Sequence, residues 1–269
     1  MFAKVSIIMG IYNCADTLEE AIESIIAQTF KGWKLIMCDD GSTDNTYEIA
    51  LRYAQRYNNI WVYKNQKNRG LNYTLNRCLE YADTEYIARM DGDDISLPTR
   101  LEKQISFLEE HTEFEIVSSS MISFDDNGEW GVYTNPERPT RESFIKGSPF
   151  CHAPCMVRRE AYQAVNGYSV DKKLLRMEDY HLWIKMYEQG YVGYNISEAL
   201  YKMRDDRDAT MRRKYRYRMN EAYVRYVAIQ KLALPIYSYI YILRPLLVGL
   251  LPTNIYEYLH KRKLKKNSQ

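Results

Sequence analysis

WKLIMCDDGSTD, residues 33–44, decides how the chain is read. Residues 33–38 form a short apolar strand, and the chain then turns at once through Asp39, Asp40, Gly41, Ser42, Thr43 and Asp44. Working outward from that stretch, the same kind of unit repeats. Before it, KVSIIMGIY at 4–12 is short, apolar and rich in β-branched side chains, the mark of a strand buried on both faces. Between the two, TLEEAIESIIAQ at 17–28 puts Leu18, Ala21, Ile22, Ile25 and Ile26 on one face at helical spacing. Thr17 and Glu20 match a T-x-x-E capping box at its start. After it come a helix over 44–57 capped by Asp44, a strand IWVYK at 60–64, a helix over 70–82 and a strand EYIARM at 85–90. Pro98 then opens a helix to about Glu110, a favoured place for proline. Four strand–helix alternations predict an α/β fold: a mainly parallel central sheet with helices on both faces. Ligands on such sheets bind beyond the carboxyl ends of the strands, so the functional groups should follow Tyr12, Cys38 and Met90.

Two acidic clusters stand at those ends. One is Asp39-Asp40-Gly41-Ser42-Thr43-Asp44; the other is Asp91-Gly92-Asp93-Asp94. Turn and cap chemistry accounts for either cluster alone. Two clusters on one sheet edge repel each other, and a divalent cation offsets that repulsion. Mg²⁺ and Mn²⁺ take hard oxygen ligands, commonly one or two carboxylates plus substrate phosphates, so a metal-bound diphosphate suits this edge.

Length and charge bound the rest. A chain of 269 residues holds one large α/β domain or a domain with a small appendage. With 46% apolar and 27% charged residues it can bury a core. The near-neutral total hides a division. Residues 201–269 carry 16 Lys and Arg against 5 Asp and Glu, a net +11, and the first 200 residues carry a net −9. An acidic body argues against nucleic acid as the partner. A basic tail beside apolar residues points to an anionic lipid surface. The five cysteines are odd in number and contain no C-x-x-C, which fits a reducing compartment rather than a disulfide framework. No secretory signal opens the chain, so a cytoplasmic location at the inner face of the cell membrane is expected.

The succession V-S-I-I-M-G-I-Y-N, D-D-G-S-T-D, N-R-G-L-N and Y-I-A-R-M-D-G-D-D resembles family 2 glycosyltransferases with a GT-A fold, over about the first 200 residues. The resemblance implies an inverting transfer of one sugar from a nucleotide diphosphate sugar, of the uridine type, to a hydroxyl of a glycan or polyprenyl-linked acceptor. It implies a GT-A domain over 1–205, with a nucleotide-sugar half at 1–110 and an acceptor half at 111–205, and a helical extension over 206–269. Gly10, Tyr12, Asp40, Gly70, Asp91 and Arg204 are then the nucleotide-sugar residues, with Tyr12 stacking on the base and Asp40 bonding it. Asp91 and Asp93 match the D-x-D segment that holds Mn²⁺ or Mg²⁺, Asp93 being the direct ligand. Gly10 departs from the family, where proline or threonine is common.

Two segments of the second half matter. Cys151-His152-Ala153-Pro154-Cys155 fits no zinc spacing and resembles the segment that lines the acceptor side. Arg176-Met177-Glu178-Asp179-Tyr180-His181-Leu182-Trp183 leads into a helix, and acidic residues in a first turn also suit the helix dipole. By resemblance Asp179 is the catalytic base, and His152, Glu178 and Trp183 face the acceptor; a core position for Trp183 is the alternative. Arg204 holds the diphosphate or is a surface arginine.

In the tail, 212–231 reads as a basic, tyrosine-rich helix, and 232–251 is apolar but interrupted by Arg244, Pro235 and Pro245. A central arginine and two prolines favour helices lying in the membrane interface over a spanning one. Lys261, Arg262, Lys263, Lys265 and Lys266 would meet anionic headgroups. The absence of several hydrophobic spans and of Q-x-x-R-W separates the chain from processive polysaccharide synthases and predicts single additions. The competing readings are a sugar nucleotidyltransferase, which calls for a glycine-rich basic first loop, and a catalytically silent subunit of a glycan assembly complex.

Overall fold

The computed structural model describes residues 3–205 and 215–250. In chain order the elements are β1 (Val5–Ile11), α1 (Ala15–Ile26), β2 (Trp33–Asp39), α2 (Thr46–Arg56), β3 (Ile60–Lys64), α3 (Leu71–Leu79), β4 (Tyr86–Arg89), β5 (Ile95–Ser96) and α4 (Arg100–Glu110). Then follow β6 (Ile116–Asp125), β7 (Gly128–Tyr133), β8 (Met156–Arg158), α5 (Arg159–Ala164), α6 (Glu178–Glu188), β9 (Gly193–Arg204), α7 (Tyr215–Lys231) and α8 (Ile240–Val248).

One nine-stranded sheet runs β3-β2-β1-β4-β8-β6-β9-β5, with β7 added to β6. Its first half is parallel throughout: β1 pairs with β2 and β4, and β2 with β3. The second half is mixed. β8 lies antiparallel between β4 and β6, while β6 and β9 run parallel over a long register. Alternate residues of β1 serve opposite layers. Val5, Ile7, Met9 and Ile11 pack with α1 and α4, whereas Ile8 joins α3, α6 and α7. Burial on both faces is why the strand sequence is a continuous apolar run instead of an alternating one.

Because β8 runs against β4, the Cys151–Cys155 turn that precedes it lands at the carboxyl end of β4. Arg100 fastens this turn. It is buried, and its Nη2 donates to the carbonyls of Arg89 (2.8 Å), Ala153 (3.3 Å) and Cys155 (3.4 Å). The carboxyl ends of β1, β2, β4, β6 and β9 thus share one edge with the 151–155 turn.

Some helix starts differ from expectation. α1 begins two residues before Thr17, so Thr17 and Glu20 form no capping box. The Thr17 hydroxyl instead donates to the Gly92 carbonyl at 2.9 Å, tying α1 to the end of β4. Asp44 caps two helices at once, accepting from Thr46 N (3.1 Å) and Ala15 N (3.2 Å). Pro98 stands ahead of α4, which starts at Arg100, and its carbonyl accepts the Thr29 amide at 2.8 Å. In the tail, α7 packs on α6 and α8 packs on α7. Among the described residues no helix is long and apolar enough to cross a membrane. The basic residues 261–266 lie outside the described residues.

Candidate active site

The site begins where β1 ends. Tyr12 emerges there 47% exposed. Asn13 follows in the left-handed region, at φ 47°, a conformation asparagine tolerates better than most residues. Its backbone N–H donates to Ser42 Oγ (3.0 Å), and its Oδ1 accepts from Thr43 N (2.9 Å). The loops after β1 and β2 are therefore one unit. Gly41 closes that unit at φ 75°, where a Cβ would fall 2.9 Å from the Lys67 backbone.

The two adjacent aspartates after β2 face different ways. Asp40 is 3% exposed and fully engaged: its carboxylate accepts from Asn65 Nδ2 (2.8 Å), Arg69 N (2.9 Å) and Gly70 N (2.8 Å). It holds the 65–70 loop against the start of α3. Asp39 Oδ2 accepts from Gly41 N and Ser42 N, and its Oδ1 is buried with no hydrogen-bond partner. Buried polar atoms are nearly always bonded, so this oxygen is an exception in the fold. Gly10, in β1, has a packing role. A Cβ there would meet Leu71 Cδ1 at 3.0 Å, so its small size admits α3 against the sheet. Gly70, at φ 89°, provides the turn into α3.

After β4 the carboxylates divide by partner. Asp91 is gripped by Arg89 in a two-pronged ion pair, Nε to Oδ1 at 2.8 Å and Nη2 to Oδ2 at 3.1 Å. Asp94 is buried and accepts the Arg204 amide at 2.8 Å. Burial and the charges of Asp91 and Asp93 hold its carboxyl well above the ordinary carboxylate range. Asp93 reaches solvent, yet the protein around it and the Asp91 charge push its pKa up to about 6. Arg204 lies beside this cluster with its guanidinium on Asp126 (3.0 Å), Glu20 (2.9 Å) and the Phe124 ring. No three His, Cys, Asp or Glu side chains form a ready metal cage among the described residues. One outward carboxylate with crowded neighbours fits a cation that arrives with substrate phosphates.

Glu178 and Asp179 open α6 on the other side of Arg89, whose charge reaches both. Burial raises the Asp179 carboxyl above its ordinary value. Burial and the neighbouring Asp179 push Glu178 up to about 6, and Glu178 Oε2 has no partner. His152 stands nearby, its Nε2 3.3 Å from the Tyr168 hydroxyl and its Nδ1 unbonded. Trp183 is 0% exposed, packed edge-on against His152 and Phe150. It supports His152 from the core and offers no face to an acceptor, which settles that alternative. Burial drives the Cys151 thiol up to about 12, so it is neutral at ordinary pH.

Arg89 went unnoticed in the sequence, although an arginine inside an apolar strand always needs a buried partner, and Asp91 two residues on was the signal. Asn13 and Tyr201, whose hydroxyl accepts the Asp91 amide at 3.2 Å, carried no such mark.

The model of the family described as glycosyl transferase family 2 matches residues 6–165. EpsE of Bacillus subtilis (strain 168), which carries a glycosyltransferase name, is 45% identical over 99% of this chain and 96% of its own. The Escherichia coli UDP-Glc:alpha-D-GlcNAc-diphosphoundecaprenol beta-1,3-glucosyltransferase WfaP is 31% identical over 72% of this chain and 74% of its own. Among solved structures, S. aureus TarS 1-349 in complex with UDP-GlcNAc superposes with a TM-score of 0.68 at 20% identity, covering 92% of this chain and 71% of that one. The mannosyltransferase PcManGT from Pyrobaculum calidifontis, in complex with GDP-Man and Mn²⁺, gives 0.62 at 17% identity, covering 98% and 80%.

Proposed function

The chain belongs to glycosyl transferase family 2, and from that premise we propose that it moves a single sugar from a uridine diphosphate sugar to a hydroxyl of a lipid-diphosphate-linked glycan, with inversion. The family and the GT-A fold support this chemistry. The observation that carries the reading is that Arg89, ion-paired to Asp91, brings its charge to two further carboxylates, the exposed Asp93 and the half-buried Asp179. The acceptor class follows from WfaP, whose name gives a diphosphoundecaprenol-linked sugar as its acceptor.

Tyr12 stacks on the base, and the Asp39–Asp40 turn borders it. A divalent cation, Mn²⁺ or Mg²⁺, would be held by Asp93 together with the donor diphosphate, and when bound it supplies positive charge where the leaving group gains negative charge. Asp179 accepts the proton of the attacking hydroxyl, and its raised pKa makes it a better base than an ordinary carboxylate. Attack from the side opposite the leaving diphosphate inverts the anomeric centre. His152, oriented by Tyr168 and Trp183, borders the acceptor.

The same reading places the protein on the cytoplasmic membrane face. Ile236, Ile240, Leu243, Leu247 and Leu250 recur at steps of four and three residues and are each more than half exposed. With Arg244 among them and the basic residues 261–266 beyond, this face matches an anionic bilayer.

The deciding experiment is donor hydrolysis across a panel of nucleotide sugars with Mn²⁺, Mg²⁺ or excess chelator. Metal-dependent release of nucleoside diphosphate from one donor, lost in Asp93→Ala, is the expected result. Neither release nor donor binding under any metal would defeat the proposal in favour of a catalytically silent subunit.

A further inference from the structure

Arg176 is the residue whose conformation the transfer chemistry leaves unexplained. It lies three residues before Asp179 and is held at φ 64°, where a side chain with a Cβ is strained. Strain of this kind persists where the surroundings enforce it, often at ligand-binding positions. Its guanidinium is exposed and rests 5.3 Å over the Tyr217 ring. Among the described residues it has no carboxylate and no hydrogen-bond acceptor. Other arginines around the site are matched with acids: Arg89 with Asp91, Arg204 with Glu20 and Asp126, Arg225 with Glu221.

Arg176 also lines a cavity of about 150 Å³ with Met177, Tyr217, Arg218 and Glu221. Glu221, the acid of that cavity, is already bonded to Arg225 (2.9 Å) and Arg218 (3.3 Å). Of the charged side chains lining the cavity, two are cationic and one is anionic. Its other border is the far end of α8: a Cβ on Gly249 would lie 3.0 Å from both Arg218 Cγ and the Tyr215 ring. The apolar, exposed face of α8 thus ends beside this cavity, and Arg176 and Met177 of its wall precede Asp179 by three and two residues.

We propose that Arg176 and this cavity bind the diphosphate of a lipid-linked acceptor, with the lipid leaving along α8 and the sugar reaching Asp179. The order of chemistries along the surface — apolar face, paired basic side chains, carboxylate base — is the order of groups in such an acceptor: hydrocarbon, diphosphate, sugar hydroxyl. A guanidinium presents two parallel N–H donors to phosphate oxygens, which a lysine cannot do. The proposal rests on the acceptor reading above and names the residue that selects for it.

The test is a titration with farnesyl diphosphate, with the donor cleft filled by uridine diphosphate and Mg²⁺ and farnesol as the control. Arg176→Gly is an informative variant, because glycine adopts φ 64° without strain while the guanidinium is lost with the rest of the side chain. Wild type should bind farnesyl diphosphate and not farnesol. Arg176→Gly should weaken that binding roughly 10- to 100-fold, the range for losing charge-assisted hydrogen bonds. Arg176→Lys should fall between them. Uridine diphosphate affinity and the unfolding midpoint should stay near wild type, which a merely structural role for Arg176 would not allow. Equal binding of farnesyl diphosphate by wild type and Arg176→Gly would overturn the proposal, as would equal affinity of wild type for farnesol. Failure of the transfer reading shows separately, as absence of donor hydrolysis.

Discussion

Asp179 and Glu178 adjoin in sequence and meet the same burial, yet they predict different outcomes. Asp179→Asn should lower transfer by about 100-fold or more, the usual weight of a positioned base. Donor affinity, read by titration, should change little. Because burial raises the Asp179 carboxyl, kcat/KM should climb as pH rises through its folded pKa and then level off. Glu178 bears on stability as well. Its pKa is about 6 folded and ordinary unfolded, so between these values the folded chain binds more protons. Its share of stability is therefore present at low pH and lost as pH rises toward and past 6. Glu178→Gln should flatten that fall, gaining about 1–2 kcal/mol at pH 7.5, measured by urea unfolding at pH 5 and 7.5. At this scale the sequence carried the acids but not their partners. Which of Asp39 and Asp40 keeps a free oxygen depends on which faces α3, and that register is invisible in D-D.

The elements of the first half were legible because long apolar strands and amphipathic helices impose periods of their own. β5 and β8, of two and three residues, are too short to carry a period, so the mixed half of the sheet was read only as irregular completion. The helix starts were misread for a related reason: their caps come from across the fold. Asp44 serves α1 from the loop after β2, and Asp40 serves the approach to α3. Asp40→Ala leaves the Asn65 amide and two backbone N–H groups without their carboxylate. It should cost about 2–4 kcal/mol, seen as a lower urea midpoint at unchanged m-value. Donor binding should weaken with it, since the loop it ties borders Gly41.

Across the whole molecule, the division of charge between body and tail was already plain in the sequence. The packing of α7 into the core with α6 was not, because a basic helix gives no hint of which face it buries. Replacing both Leu243 and Leu247 by Asp should abolish sedimentation with phosphatidylglycerol vesicles while leaving thermal unfolding within a few degrees, both side chains being more than half exposed. Retained sedimentation would show that the apolar face of α8 is not the contact. The helix that carries Asp179 is packed on α7, and α7 on α8, whose apolar face is exposed. With α8 laid on lipid, the base stands at a fixed height above the headgroups. The proposed transfer would then gauge glycan length: a chain one or two sugars too long would carry its hydroxyl past Asp179, and a shorter one would not reach it.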